Sequence, residues 1–125
     1  MVVKRLLELT GIKTIFHVCP TVREADGLAM SSRNLRLSPV AREKAVTIFQ
    51  ALQMTKDSLR PGDVTDLTSR AKKLLNDRGF SVDYFEIADA NTLEPLTHWH
   101  TPRQLVALTA AFLNDVRLID NMVLN

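Results

Sequence analysis

The sequence predicts an α+β fold: a two-helix hairpin packed on a small antiparallel sheet of about three strands, preceded by an orphan helix and strand. Three observations carry this. Ser38-Pro39 opens a stretch whose apolar residues recur at helical spacing, with Ser as N-cap and Pro in the first turn. "RQLVALTAAFL" is a nearly continuous apolar run, as a buried central strand requires. "NDVRLIDNMVL" follows it directly, and Asn114-Asp115 supplies the turn of a hairpin. A chain of 125 residues can bury one sizeable core but is short for two.

In chain order, residues 2–10 carry Val2, Val3, Leu6, Leu7 and Leu9 among Lys4, Arg5 and Glu8, a pattern that suits a short amphipathic helix. Gly11 follows as a C′ glycine should. "KTIFHVCP" then reads as a short strand, Thr14 to Val18, stopped by Pro20, with Cys19 as a small buried residue at its end. Helix, glycine and short strand are the closing half of a βαβ unit whose opening half is not in the chain. Residues 20–37 have no useful period and read as a structured loop. After Ser38, the residues Ala41, Ala45, Ile48, Leu52 and Leu59 define one helix, which Pro61-Gly62 ends. Asp63 caps the next helix, whose stripe is Val64, Leu67, Ala71, Leu74 and Leu75, and Gly79 closes it. "SVDYFEIADA" reads as a strand, "NTLEPLTHWHTP" as a connection, and the two runs above complete the sheet.

The totals exclude several classes. Sixteen basic and fourteen acidic side chains leave +2, with no basic run beyond Lys72-Lys73, which argues against nucleic acid and anionic membranes as partners. A single cysteine forbids an intrachain disulfide and a cysteine metal cluster, in keeping with a reducing, cytoplasmic setting. No apolar run approaches the about 20 residues of a membrane span, and the N-terminus lacks the apolar region of a secretory signal. His98 and His100 in "THWHT" lack further ligands for a metal, and Trp99 between them reads as a packing anchor.

The chemistry concentrates in residues 20–34, "PTVREADGLAMSSRN". Gly27 permits a tight turn, Ser31 and Ser32 offer adjacent hydroxyls, and Arg33 offers a planar fork for phosphate oxygens. The same composition also fits a surface loop whose arginines pair with Glu24 and Asp26. Asp26 suits a turn-shaping role better than a ligand contact.

This stretch, followed by "LRLSPVAREKA", resembles the motif region of the pantoate–β-alanine ligases. "DYFEIADANTLEPL" and "LVALTAAFLNDVRLIDNMVL" are similar to that family's C-terminal domain, and the likeness runs from Thr14 through nearly the whole chain. The resemblance implies an ATP-dependent ligase that joins pantoate to β-alanine through a pantoyl adenylate, giving pantothenate, AMP and pyrophosphate. It implies Mg²⁺ with the ATP, and a homodimeric parent whose Rossmann-like N-terminal domain carries a His-x-Gly-His motif. None of His17, His98 and His100 stands in that motif, so the fragment alone is expected to be inactive. Residues 1–19 then correspond to the last helix and strand of the catalytic domain, 20–37 to the ATP-phosphate loop and linker, and 38–125 to a C-terminal lid domain. By position, the Val22 backbone is implied to read adenine. Met30, Ser31, Ser32 and Arg33 are implied to form the ATP loop, with Ser31, Ser32 and Arg33 as transition-state phosphate contacts and no catalytic residue or metal ligand in the fragment. Met30 to Arg33 is similar to the Lys-Met-Ser-Lys-Ser loop of class I aminoacyl-tRNA synthetases, but Ala29 stands at its first lysine. Arg23 carries no firm role. The competing readings are a nucleotide- or RNA-binding module without ligase activity, and a purely structural interaction domain.

Overall fold

The computed structural model describes residues 2–125. Helix α1 (Val2–Thr10) buries none of its residues. Its end is a Schellman closure: Ile12 N–H donates to Leu7 O at 3.2 Å and Gly11 N–H to Glu8 O at 3.3 Å. Gly11 at φ +66 makes the closure possible at little cost. The strand expected at 14–18 does not form. Residues 12–20 have no regular structure and are exposed, Cys19 included, which also corrects its expected burial. β-branched composition favours an extended chain but cannot supply ladder hydrogen bonds, and no neighbouring strand exists for this segment among the described residues.

The helix opened by Ser38 forms as read at its start: Ser38 Oγ accepts from Ala41 N–H at 3.3 Å, with Pro39 in the first turn. It is two segments rather than one, α2 (Pro39–Ala45) and α3 (Thr47–Ser58), joined at Val46, which keeps right-handed helical angles. The break is thus a local tightening, not a reversal. Helix α4 (Thr65–Asp77) returns antiparallel and completes the hairpin. Val64 holds the N-cap position, while Asp63 supplies the acceptor, taking Thr65 N–H at 2.7 Å and Thr65 Oγ1–H at 2.6 Å. Those two bonds, hydroxyl first, hold the Asp63 carboxyl below its ordinary range.

The main sheet has the order β2-β4-β5, all antiparallel: β2 (Phe80–Asp89), β4 (Leu105–Leu113) and β5 (Val116–Val123). The apolar run is the central strand, as its composition requires. Leu113 pairs with Val116, so Asn114 and Asp115 form a two-residue turn with Asn114 at φ +54. One face packs under α3 and α4, where Ile48, Leu52, Leu75, Phe85, Ile87 and Leu105 are fully buried. Two residues of the expected connection form a second, two-stranded sheet: β3 (His98–Trp99) pairs with β1 (Gly62–Asp63). Trp99 is buried and its indole N–H donates to Arg103 O at 2.8 Å, so it anchors this corner as the sequence suggests.

Asp89, at the end of β2, accepts from Asn91 N–H at 2.8 Å and Thr92 N–H at 3.0 Å. The Thr92 and Asn91 amides, in that order, hold its carboxyl below the ordinary value of 3.8, with Arg103 adding to the effect. A carboxylate with a lower pKa folded than unfolded stabilises the fold above its unfolded value. That contribution disappears as pH falls through about 4 toward the folded value. Asp89→Ala is therefore expected to be less stable than the parent at neutral pH, and the gap should narrow steadily below pH of about 4. Urea unfolding at a series of pH values measures this, and a gap that stays constant with pH would remove the carboxylate from the account.

Candidate functional site

The stretch from Val22 to Met30 folds as a small hairpin. Met30 N–H donates to Val22 O at 2.9 Å, Glu24 N–H to Leu28 O at 2.8 Å and Gly27 N–H to Glu24 O at 2.9 Å. Asp26 shapes the turn as its residue type suggests, with Oδ1 accepting from Leu28 N–H at 3.2 Å. Its Oδ2 takes the Arg42 guanidinium at 2.8 Å, and the Arg42 bond, followed by the Leu28 amide, holds its carboxyl below the usual range.

Arg23 fastens this hairpin to the sheet. Its guanidinium forks onto Asp120 of β5 at 2.6 and 3.0 Å, and also donates to Gly27 O at 2.9 Å and Asn121 O at 3.2 Å. It lies 4.9 Å from the Phe49 ring centroid, and Phe49 belongs to α3. The Asp120 side chain is only 2% exposed. Gly27 sits on the same ring at φ +94, where a Cβ would come within 2.3 Å of Phe49. Leu28 inserts into the core beside them, 3% exposed. Thus one charged fork, one glycine and one leucine dock the loop on the domain. The structure pairs neither arginine of the loop with Glu24 or Asp26, so the plain surface-loop pairing does not occur.

Beyond the hairpin, Ser31 caps a 3₁₀ turn, η1 (Ser32–Arg36), by accepting from Arg33 N–H at 3.2 Å. That bond uses a lone pair of Ser31 Oγ and leaves its proton free to donate. Ser31, Ser32 and Arg33 are all exposed. Among the described residues, the Arg33 guanidinium has no ion pair or hydrogen bond, unlike Arg23, Arg36, Arg42 and Arg117. A planar cation held on a short, capped turn with its donors unspent is fit to receive an anion.

A cavity of about 400 Å³ lies between this loop and the sheet. Met30, Ser31, Arg33 and Asn34 form the loop wall, and Tyr84 and Ile119 stand on the other side. Of the residues singled out from sequence, Met30, Ser31 and Arg33 reach this cavity. Val22 and Ser32 lie outside its lining; Val22 is 68% exposed, with its carbonyl already bonded to Met30. Asn34 and the Arg23–Asp120 fork are the elements that sequence reading missed. Asn34 stood next to the recognised serines and arginine, whereas the fork joins residues 97 positions apart, beyond any local signal.

His98 and His100 are exposed on either side of Trp99, and His17 lies in the exposed segment before Pro20. No group of three or more His, Cys, Asp or Glu side chains converges to hold a metal among the described residues. No helix among them is long and apolar enough to cross a membrane.

Comparisons with known proteins agree with this architecture. The chain is 44% identical over 108 residues to the pantothenate synthetase of Coprothermobacter proteolyticus, covering 84% of this chain and 38% of that protein. It is 36% identical over 128 residues to the bifunctional pantoate ligase/cytidylate kinase of Synechocystis sp., covering 99% of this chain and 25% of that protein. The chain thus spans well under half the length of these curated relatives. The pantothenate synthetase of Thermus thermophilus superposes with a TM-score of 0.82 at 35% identity, over 97% of this chain and 44% of that one. The pantoate-beta-alanine ligase of Francisella tularensis, complexed with beta-gamma ATP and beta-alanine, gives 0.60 at 27% identity over 98% of this chain and 38% of that one. The family model for pantoate-beta-alanine ligase matches residues 1–123, and the chain therefore belongs to the pantoate-beta-alanine ligase family.

Proposed function

We propose that this chain supplies the nucleotide-phosphate loop and lid of an ATP-dependent ligase that condenses pantoate with β-alanine. The single observation that carries this is the unpaired Arg33 guanidinium beside Ser31 on the wall of the cavity. In the reaction, a pantoate carboxylate oxygen bonds to the α-phosphorus of ATP as pyrophosphate leaves. The β-alanine amine then bonds to the acyl carbon, loses a proton, and AMP leaves. Arg33 forks onto the phosphate oxygens as charge gathers on the departing pyrophosphate, and has no intramolecular partner to give up. Ser31 and Ser32 donate their hydroxyl protons to the same oxygens, Met30 lines the approach, and the Val22 N–H meets the adenine edge. Mg²⁺ bound to the triphosphate would offset part of its charge, while Ser31, Ser32 and Arg33 would face the same phosphate oxygens.

The remaining roles fall to a Rossmann-like domain bearing a His-x-Gly-His motif. Residues 1–19 continue that domain, 20–37 form the loop, and 38–125 the lid. The working enzyme is a cytoplasmic homodimer, and this chain alone does not turn over. The RNA-binding alternative has no support in a near-neutral surface whose aromatic residues are not interleaved with free basic ones.

The test is a Mg·ATP titration of the chain followed by backbone amide shifts. Saturating shifts at Val22 and Met30 to Arg33 are expected. Saturating shifts that map elsewhere, for instance around Trp99, would overturn the assignment. Silence at millimolar ATP would make the loop a lid that becomes a site only when the second domain presents the nucleotide.

A further inference from the structure

One polar atom of the cavity wall stands apart. Asn34 Nδ2 donates to Ala29 O at 3.0 Å, but Asn34 Oδ1 is sealed from solvent with no hydrogen-bond partner. The backbone of the same residue is fully engaged: its N–H donates to Ser31 O at 3.0 Å and its carbonyl accepts from Leu37 N–H at 3.2 Å. Flipping the amide gives no relief, because Oδ1 would then face the Ala29 carbonyl and Nδ2 would be the orphan. A buried acceptor without a partner costs stability, and a native protein keeps one for a reason.

Resting on the ligase reading, we propose that Asn34 is a nucleotide-positioning residue whose carboxamide oxygen accepts a hydroxyl or amine proton from the nucleoside half of the bound ATP. Chemistry selects that half. Phosphate oxygens are acceptors and cannot satisfy Oδ1, whereas ribose hydroxyls and the adenine amine are donors. Place supports it as well. Asn34 shares the cavity wall with Arg33 and Ser31, one residue beyond the phosphate fork. Asn34 belongs to η1, a single 3₁₀ turn that also carries Arg33, so a ligand held by Arg33 comes within one residue of the carboxamide. The Nδ2 bond to Ala29 O meanwhile fixes the turn from which Met30 and Ser31 project. The loop thus holds an unmade bond that the nucleoside completes.

The experiment compares wild type, Asn34→Leu and Asn34→Asp for binding of Mg·ATP and of Mg·tripolyphosphate, read from the Met30 to Arg33 amide shifts, together with urea unfolding. Leucine matches the shape and removes the unmade bond, but it also takes the Nδ2 donor from Ala29 O, so its unfolding midpoint should stay close to that of wild type. Its ATP affinity should fall about three- to tenfold more than its tripolyphosphate affinity, the worth of one neutral hydrogen bond. Asn34→Asp should weaken both ligands, because it adds a negative charge beside the phosphate fork. Equal weakening of both ligands by Asn34→Leu, no weakening of ATP, or markedly earlier unfolding would each overturn the proposal and leave Asn34 a structural residue. If wild type binds neither ligand, independent nucleotide affinity fails on its own. The comparison is then read in the assembled ligase, where a rise of about three- to tenfold in the KM for ATP of Asn34→Leu upholds the proposal and an unchanged KM overturns it.

Discussion

On the proposed ligase role, Arg33→Ala is expected to lower the adenylation rate of the assembled enzyme by about 10²- to 10³-fold, while leaving the fold untouched. The magnitude is that of removing one preorganised donor from a developing oxyanion. Fold stability should change by less than about 0.5 kcal/mol, because the exposed guanidinium makes no contact whose loss the domain would register. Arg33→Lys should recover only part of the rate, since an ammonium keeps the charge but loses the planar fork. Single-turnover formation of the adenylate measures the first effect and thermal unfolding the second. An Arg33→Ala enzyme with a wild-type adenylation rate would return residues 30–33 to the status of an ordinary surface turn.

Arg23→Ala should behave in the opposite way, with a large loss of stability. Removing the guanidinium leaves the Asp120 carboxylate buried, with only the Asn121 N–H at 2.7 Å to face it. Breaking one partner of such a pair costs about 3 kcal/mol, because the remaining charge stays uncompensated. The lost packing on Phe49 adds to this. For a domain of this size the melting temperature should fall by roughly 10 °C. Arg23→Met with Asp120→Leu should be less harmful than Arg23→Ala alone, since no charge is then stranded. Gly27→Ala, which strikes the same Phe49 ring from a left-handed backbone, should cost about 2 kcal/mol by strain and overpacking. If Arg23→Ala melted within a degree or two of the parent, the docking of the loop would have to rest on Leu28 alone. The two arginines, ten positions apart, thus separate cleanly. One is spent on architecture, and the other has no ion pair or hydrogen bond among the described residues.

That division could not be read from composition. By residue type Arg23 and Arg33 are equivalent cations near Glu24 and Asp26, and only the family resemblance singled out Arg33 for phosphate while giving Arg23 no firm role. The partners of Arg23 come from β5, at the far end of the chain. Likewise, the pairing of Gly62–Asp63 with His98–Trp99 has no local signature, because each partner is two residues long. The strand expected at 14–18 erred the other way. Its residues favour extension, but a strand is a pairwise object, and no neighbouring strand completes it among the described residues.

The sequence by itself determined several features that depend on neighbours within a few positions. These include the Ser38-Pro39 start, the Gly11 closure of α1, the buried central run Leu105–Leu113, the Asn114 turn, and the Ser-Ser-Arg block that marks the family. Caps, turns and periodicity act through one or two turns of backbone, so residue type and spacing suffice to specify them. Only the tertiary structure decided which arginine is spent and which is free, and which acceptor is left unpaired. Both are properties of burial and partnership, and those exist only once distant segments have been brought together.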